Sequence, residues 1–287
     1  MSDRIYTKNV RDDARLRGSF NDLTRTTFGF DFEGWYAGGG WGGHYVPHAL
    51  VQDGRVVSNV SVNFMRFSLG EETKNYIQLG TVMTAEDCRR QGLNRQIMEA
   101  VLAEYAGKCD GVYLFGNDSV VDYYPKFGFV PVKEYEYFLP VADPNLQPYV
   151  VEKADPAQLV AYLEKAPANP NDGFYMCENL GLYRFWMQAG FENALYFLPE
   201  AGAFVSAEME DARLLVHGVF GENRVDLRRL ACSFGGAKEV VFGFTPEDKT
   251  GLSVREYREE DCTLFVLGGD LARIQREKLH FPTFSHA

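Results

Sequence analysis

Asn75-Tyr-Ile-Gln-Leu-Gly-Thr-Val-Met-Thr84, Arg89-Arg-Gln-Gly-Leu-Asn94, and Asn117 followed by Tyr123-Tyr-Pro-Lys-Phe-Gly-Phe129 decide how this chain is read. The first run is rich in β-branched and aliphatic residues and free of proline, which predicts a strand running into a basic turn. Beyond the turn Leu93, Ile97, Val101 and Tyr105 recur every four residues with charges between them, the pattern of an amphipathic helix. The first N–H groups of such a helix lack partners and its dipole is positive there. With two arginines and a glycine allowing close approach, the turn suits a phosphate or pyrophosphate. A solvated basic turn before an ordinary surface helix is the plainer alternative. Gly111-Val-Tyr-Leu-Phe115 predicts a buried parallel strand, after which Asn117, Asp118 or Ser119 caps a second helix that ends at Gly128. Strand, turn, helix, strand and helix in this order make a right-handed crossover with both helix N-termini at one edge of the sheet.

The chain has 287 residues, 46% hydrophobic and 14% aromatic, enough for one large domain or two ordinary ones. No apolar run approaches the ~20 residues that span a bilayer, and the first residues lack the apolar core of a signal peptide, so a cytoplasmic protein without membrane partners is expected. Cys88, Cys109, Cys177, Cys232 and Cys262 are scattered without C-x-x-C spacing and suggest buried thiols, not disulfides or a metal site; Cys88 beside Arg89 is the candidate reactive exception. A net charge of −11 argues against nucleic acid as a partner and permits cationic ligands such as amines.

Residues 12–27 fit a surface helix. Phe28 to Tyr45 then interleaves aromatics with glycines, a composition that resists regular structure and offers flat surfaces. His48–Gln52, the turn Asp53-Gly54 and Arg55–Met65 predict a β-hairpin. Tyr135–Leu139 is expected to close the first sheet, giving an α/β unit with a mixed sheet. The proline-punctuated stretch 141–148 is taken as a linker between residues 1–140 and 149–287. In the second unit helices are expected over 156–164, 180–188 and 225–233, and strands over 194–198, 202–207, 213–220, 239–245 and 261–267. That order repeats the first unit. Its turn, Gly221-Glu-Asn-Arg224, has no basic glycine cradle, and no tyrosine helix lies between Thr245 and Val254, so this copy is expected to bind no cofactor.

Taken together, these motifs resemble the GCN5-related N-acetyltransferase (GNAT) superfamily. The family's Gln/Arg-x-x-Gly-x-Gly/Ala signature is matched by Arg89-x-x-Gly92-Leu93-Asn94 except at its last position. Its second signature, a tyrosine four residues before Gly-Phe with an asparagine seven residues upstream, is matched by Tyr124, Gly128-Phe129 and Asn117. The larger residue at Asn94 is similar to the Eis-like aminoglycoside acetyltransferase branch. Pro125 after Tyr124 is a further departure, because a residue before proline is pushed away from helical dihedrals.

The resemblance implies two tandem acyl-CoA N-acyltransferase folds, the second degenerate and walling the acceptor pocket, with acetyl-CoA as cofactor and no metal. It implies that the backbone of Val82, Met83 and Thr84 pairs with the pantetheine and thioester, as an oxyanion hole does. Arg89, Arg90, Gln91, Gly92, Leu93, Asn94 and Arg95 would hold the pyrophosphate, and Asn117, Ser119 and Val120 the acyl or pantetheine end. Tyr124 would be the general acid, a phenol near ~10 protonating a thiolate near ~8.5; a core aromatic packed on Phe127 and Phe129 is the plainer role. Phe30, Trp35, Tyr36, Trp41 and His44 are expected to shape the acceptor site, or else to plug a seam between units. In the Eis-like branch the chain's own terminal carboxylate enters the active site. The aromatic, proline-stiffened stretch Lys278 to Ala287 fits a docked end, which makes Ala287 the favoured base, with His44 and His48 as alternatives. That branch's sterol-carrier-like third domain is not expected here. The activity implied is acetyl transfer to a primary amine of a small molecule or peptide. A noncatalytic acetyl-CoA-binding module and an acyltransferase using longer acyl-CoA are the alternatives. Family habit and exposed edge strands allow self-association. The residues do not name the acceptor, the oligomeric state or any ligand of the second unit.

Overall fold

The computed structural model describes residues 3–140, 145–165 and 167–287. The strands are β1 (Ile5–Thr7), β2 (Tyr45–Gln52), β3 (Arg55–Leu69), β4 (Glu72–Thr84), β5 (Gly111–Gly116), β6 (Val130–Pro131), β7 (Tyr135–Pro140), β8 (Glu152–Lys153), β9 (Phe174–Cys177), β10 (Leu195–Leu198), β11 (Ala203–Glu210), β12 (Arg213–Gly221), β13 (Glu239–Phe242), β14 (Ser253–Glu256) and β15 (Thr263–Leu267). The helices are α1 (Ala14–Phe28), α2 (Glu33–Ala37), α3 (Leu93–Tyr105), α4 (Pro156–Leu163), α5 (Leu180–Ala189), α6 (Leu227–Cys232) and α7 (Arg273–Arg276). Among the described residues they form two mixed sheets, ordered β1-β2-β3-β4-β5-β15-β6 with β9 pairing the far end of β3, and β14-β7-β13-β12-β11-β10-β8.

Local chemistry accounts for the first sheet. Asp53 and Gly54 both take positive φ, 54° and 75°, which closes the β2–β3 hairpin in the twist that its strands require. Asp13 caps α1 by accepting from the N–H groups of Arg15 and Leu16, and left-handed Gly29 ends it. The strand β4 pairs antiparallel with β3 along most of its length, but parallel with β5 only over Tyr76–Gln78 against Gly111–Tyr113. Beyond that point β4 and β5 part. The opening is sharpened by a bulge in β4 between Gly80 and Met83, where Thr81 is held at φ 48°. Asn59 Nδ2 donates to the Thr81 carbonyl at 2.9 Å, and the hydroxyls of Thr81 and Tyr45 lie 2.7 Å apart, so the strained residue is tied from two sides.

Two expectations are corrected. Tyr135–Pro140 does not close the first sheet: β7 lies in the second, between β13 and β14, while β15 from the second half enters the first sheet beside β5. The first sheet thus takes β9 and β15 from the second half of the sequence, and the second sheet takes β7 from the first. The glycine-rich stretch also contains a short helix, α2, whose Trp35 is buried. The linker placed over 141–148 falls partly on residues 141–144, which lie outside the described residues.

The final residues run between the sheets. Phe281 stacks on Tyr113 with centroids 4.2 Å apart, Phe284 packs on Tyr183 and Phe220, and Thr283 donates its N–H to the Gly243 carbonyl at 2.8 Å, just past the parallel pairing of β12 with β13. Glu134 and His280 meet in this seam. Glu134 Oε1 accepts the Phe281 N–H at 2.8 Å and lies 3.6 Å from His280 Nδ1. Burial lifts the Glu134 carboxyl to about 8 and lowers the His280 imidazole to about 3, so the proton resides on the acid and the pair is neutral. The folded state keeps a proton that the unfolded chain releases near the ordinary value of 4.5. Its contribution to stability is complete below that pH and is lost as pH climbs toward 8. Glu134→Gln should therefore gain on the wild type as pH rises from about 5 to about 8, seen in thermal melts as a growing difference in Tm.

Candidate active site

A cavity of about 900 Å³ opens where β4 and β5 part. Gln78 to Val82 of β4, Phe115, Asn117 and Tyr124 line one side, α5 contributes Phe185 and Trp186, and Ala287 closes the floor. Gln78 Nε2 donates to Ala287 O at 3.2 Å, and Trp186 Nε1 donates to the His286 carbonyl at 2.9 Å. Gly80 is required here, because a Cβ at that position would lie 2.5 Å from Ala287 O.

Tyr124 begins a short 3₁₀ turn, Tyr124–Phe127, with Pro125 in its first turn, where a missing N–H costs nothing. It is 4% exposed, packed on Phe129 and Phe265, and lies over Gly116, whose Cβ would come within 2.8 Å of its ring. Burial, with a smaller effect of Tyr123, pushes its phenol up to about 12. At neutral pH it is a hydrogen-bond donor. Full transfer to a thiolate near ~8.5 is uphill, so the phenol stabilises charge growing on sulfur unless the dry site raises the thiolate as well.

The basic turn lies outside this cavity, on the surface. Arg90 and Gly92 have φ of 62° and 75°, α3 has no side-chain cap, and a Cβ on Gly92 would meet nothing within 4 Å. Its leading N–H groups are therefore free to meet an anion. Arg89, Arg90, Gln91, Gly92 and Arg95 are exposed, whereas Leu93 is buried in the core and can offer only its backbone. Asn94, the departure from the small residue, has a job of its own: it accepts from Tyr123 Oη at 2.7 Å and donates to the Asn59 carbonyl at 3.3 Å. That joins α3 to the tyrosine turn and to the strand that pins the bulge. Asn94→Ala should cost about 1–3 kcal/mol, measured by urea unfolding, since it strands a half-buried hydroxyl and a carbonyl.

The other expected residues divide. Val82 lines the cavity; Met83 is buried, and Thr84 shares a hydroxyl contact with Ser58 at 2.8 Å. Asn117 reaches the cavity, but its amide donates to Asp261 Oδ2 at 2.8 Å. Ser119 is exposed and Val120 half-buried, and neither lines the cavity. Phe30, Trp35 and His44 do; Tyr36 and Trp41 do not. Tyr36 lies under the Arg17 guanidinium at 3.7 Å, and Trp41 is buried between Trp35 and Phe20, its indole N–H on the Tyr45 carbonyl. His48 is no candidate base: it is fully buried against Tyr6 and Tyr105, away from the cavity, and desolvation lowers it to about 4. Sequence reasoning missed Gln78, Phe115, the α5 aromatics and His286. The His286 ring stacks on Phe115 at 4.1 Å, and burial holds it neutral near about 4. Among the described residues no cluster of His, Cys, Asp or Glu could hold a metal ion, and no helix is long and apolar enough to cross a membrane.

No curated relative matches this chain. Residues 46–132 match the model of the "Acetyltransferase (GNAT) domain" family. Among solved structures the chain is similar to a protein of unknown function from Enterococcus faecalis described as a probable N-acyltransferase (14% identity, TM-score 0.64, covering 97% of this chain and 75% of that one). It is also similar to a GCN5-related N-acetyltransferase from Kribbella flavida (15%, 0.60, 92% and 71%) and to Eis1 from Mycobacterium abscessus (13%, 0.56, 92% and 72%). The stretch from β2 to β6, with its parted strands, basic turn and tyrosine, thus matches a GNAT acetyltransferase domain, in a chain whose fold is like that of GCN5-related N-acetyltransferases.

Proposed function

We propose that the chain moves an acetyl group from acetyl-CoA to a primary amine, with Tyr124 as acid and the terminal carboxylate of Ala287 as base. The donor site and Tyr124 belong to the unit of residues 1–140, and the unit of residues 149–287 supplies Ala287 and part of the pocket walls. The observation that carries this reading is that Tyr124 and Ala287, far apart in sequence, line one cavity at the parting of β4 and β5. The donor supplies an activated acetyl thioester. The residues fit it: the uncapped N-terminus of α3 with Arg90 and Arg95 would hold the pyrophosphate, and the free edge of β4 at Val82–Thr84 the pantetheine amides. In the second unit the corresponding places are filled. The Asp226 carboxylate caps α6, and Thr283 lies against Gly243 where β12 and β13 end.

An alkylamine near ~10.4 arrives mostly protonated, and the Ala287 carboxylate would hold that cation beside Gln78. That ammonium first releases a proton to water; as the lone pair so freed bonds to the acetyl carbon, the carbon–sulfur bond breaks. The proton shed by nitrogen goes to the carboxylate, and Tyr124 Oη donates to sulfur. A carboxylate near ~3.5 is a weak base for free ammonium but adequate once N–C bonding has made the nitrogen acidic. The test is release of CoA thiol from acetyl-CoA against a panel of amines, with CoA binding measured in parallel. Amine-dependent release that falls in Tyr124→Phe while CoA still binds supports the reading. CoA binding with no amine acetylated, and no effect of Tyr124→Phe, favours a noncatalytic CoA-binding module. The apolar depth of the cavity also suits a longer acyl chain, so butyryl- and hexanoyl-CoA belong in the same assay.

A further inference from the structure

The walls of the cavity away from the parted strands are aromatic. Phe28, Phe30 and Phe32 come from the join of α1 to α2, Trp35 from α2, and Phe185 and Trp186 from α5. Phe185 is the hub: its ring centroid lies 5.7 Å from Trp35, 5.8 Å from Phe32, 6.1 Å from Phe30 and 5.4 Å from Trp186. At the mouth Phe28 and Phe30 remain 44% and 42% exposed, an arrangement that leaves large apolar faces in water until something covers them.

The charges that face the cavity are mostly engaged elsewhere. Asp31 pairs with Arg25 at 3.3 Å and accepts the Glu33 N–H at 2.9 Å, and Arg184 pairs with Glu164 at 2.8 Å. Among the described residues what is left is the carboxylate of Ala287 at the floor and Glu259, hydrogen-bonded to the Cys262 thiol. A ligand with one ammonium group is matched at the floor by Ala287 and finds aromatic surface around the rest of its body, whereas a ligand with many ammonium groups exceeds the two carboxylates. A polycation would press further ammonium groups against rings and lose their water. Cation–π contact of about 0.5–2 kcal/mol offsets only part of that loss.

We infer that the acceptor is a primary amine with a single cationic centre on a flat, aromatic body, an arylalkylamine in chemical class, and not a polyamine or an aminated sugar. This rests on reading the cavity as the acceptor site of an acetyltransferase. The ammonium end meets Ala287 beneath Gln78, and the ring lies among Phe30, Phe185 and Trp35. The glycines that separate these aromatics keep the mouth open; Gly34 and Gly39 have nothing within 4 Å of a Cβ.

The experiment uses the full chain with acetyl-CoA and compares 2-phenylethylamine and tryptamine with spermine, tobramycin and n-propylamine. The arylalkylamines should exceed spermine and tobramycin by at least tenfold in kcat/KM. Phe185→Ala should raise KM for tryptamine about tenfold or more, the range for losing burial against a phenyl ring, and raise that for n-propylamine by a clearly smaller factor. Binding of 2-phenylethylamine is titrated separately by calorimetry without acetyl-CoA, so that recognition is read apart from chemistry. If it binds in a Phe185-dependent way yet is not acetylated, the ligand class stands and the transfer reaction fails. If spermine or tobramycin is acetylated and the arylalkylamines are neither bound nor turned over, the ligand class is overturned while the transferase survives. Failure of every amine to bind also overturns it.

Discussion

Tyr124→Phe should lower acetyl transfer by roughly 10²–10⁴-fold and leave CoA affinity unchanged, the span expected when a positioned acid is removed. The ring is locked by Phe129, Phe265 and the bare backbone of Gly116, so phenylalanine keeps the packing and loses only the hydroxyl. The pH profile gives a second reading. With its phenol raised to about 12, Tyr124 stays protonated through the whole working range, so the rate should rise as the free amine is released and show no falling limb below about pH 10. A falling limb near pH 8 to 9 that persists in Tyr124→Phe would assign the acid to another group.

Disturbing the last residue should be nearly as costly. One glycine appended after Ala287 converts its carboxylate to an amide, and kcat should drop at least ~10²-fold if that group accepts the amine proton. Gly80→Ala reaches the same end from the other side. Its Cβ would sit 2.5 Å from Ala287 O, so the tail must move although the β4 backbone tolerates alanine. Trp186, whose indole N–H donates to the His286 carbonyl, reports that movement by its fluorescence. Full activity in the appended chain with the Trp186 signal unchanged would remove the carboxylate from the mechanism and leave His286, the other group at the floor, as the next candidate base.

The features carried by short-range chemistry were legible in the sequence. The β2–β3 hairpin follows from Asp53-Gly54, α3 from its four-residue apolar spacing, and the left-handed turn from the glycine ahead of that helix. Tyr124 was legible because its spacing to Gly128 and Asn117 is local. What depends on distant partners was not. Nothing within Tyr135–Pro140 says which sheet it joins, since β7 and β15 are both apolar strands and the choice rests on pairing with segments more than a hundred residues away. Trp41 and Tyr36 share the composition of Phe30 and Trp35, but burial against α1 and Arg17 takes them out of the cavity. His48 lies in a strand buried on both faces, where Tyr6 and Tyr105 cover it, distant partners that spacing alone does not reveal. The α5 aromatics looked like an ordinary amphipathic helix because their cavity-facing role exists only once the two halves meet.

The reciprocal placement of β7 and β15 also bears on how the molecule is made. Each sheet waits for a strand supplied by the other half, and the contacts joining them have long sequence separation, which slows folding and raises relative contact order. During synthesis the N-terminal half emerges with the β5 edge uncovered, an unpaired apolar edge of the kind that invites aggregation. It stays so until Thr263–Leu267 has left the ribosome, and the cavity floor forms later still, when Phe281 to Ala287 fall between the sheets. A nascent chain therefore carries an unfinished pocket until Phe281–Ala287 lie between the sheets.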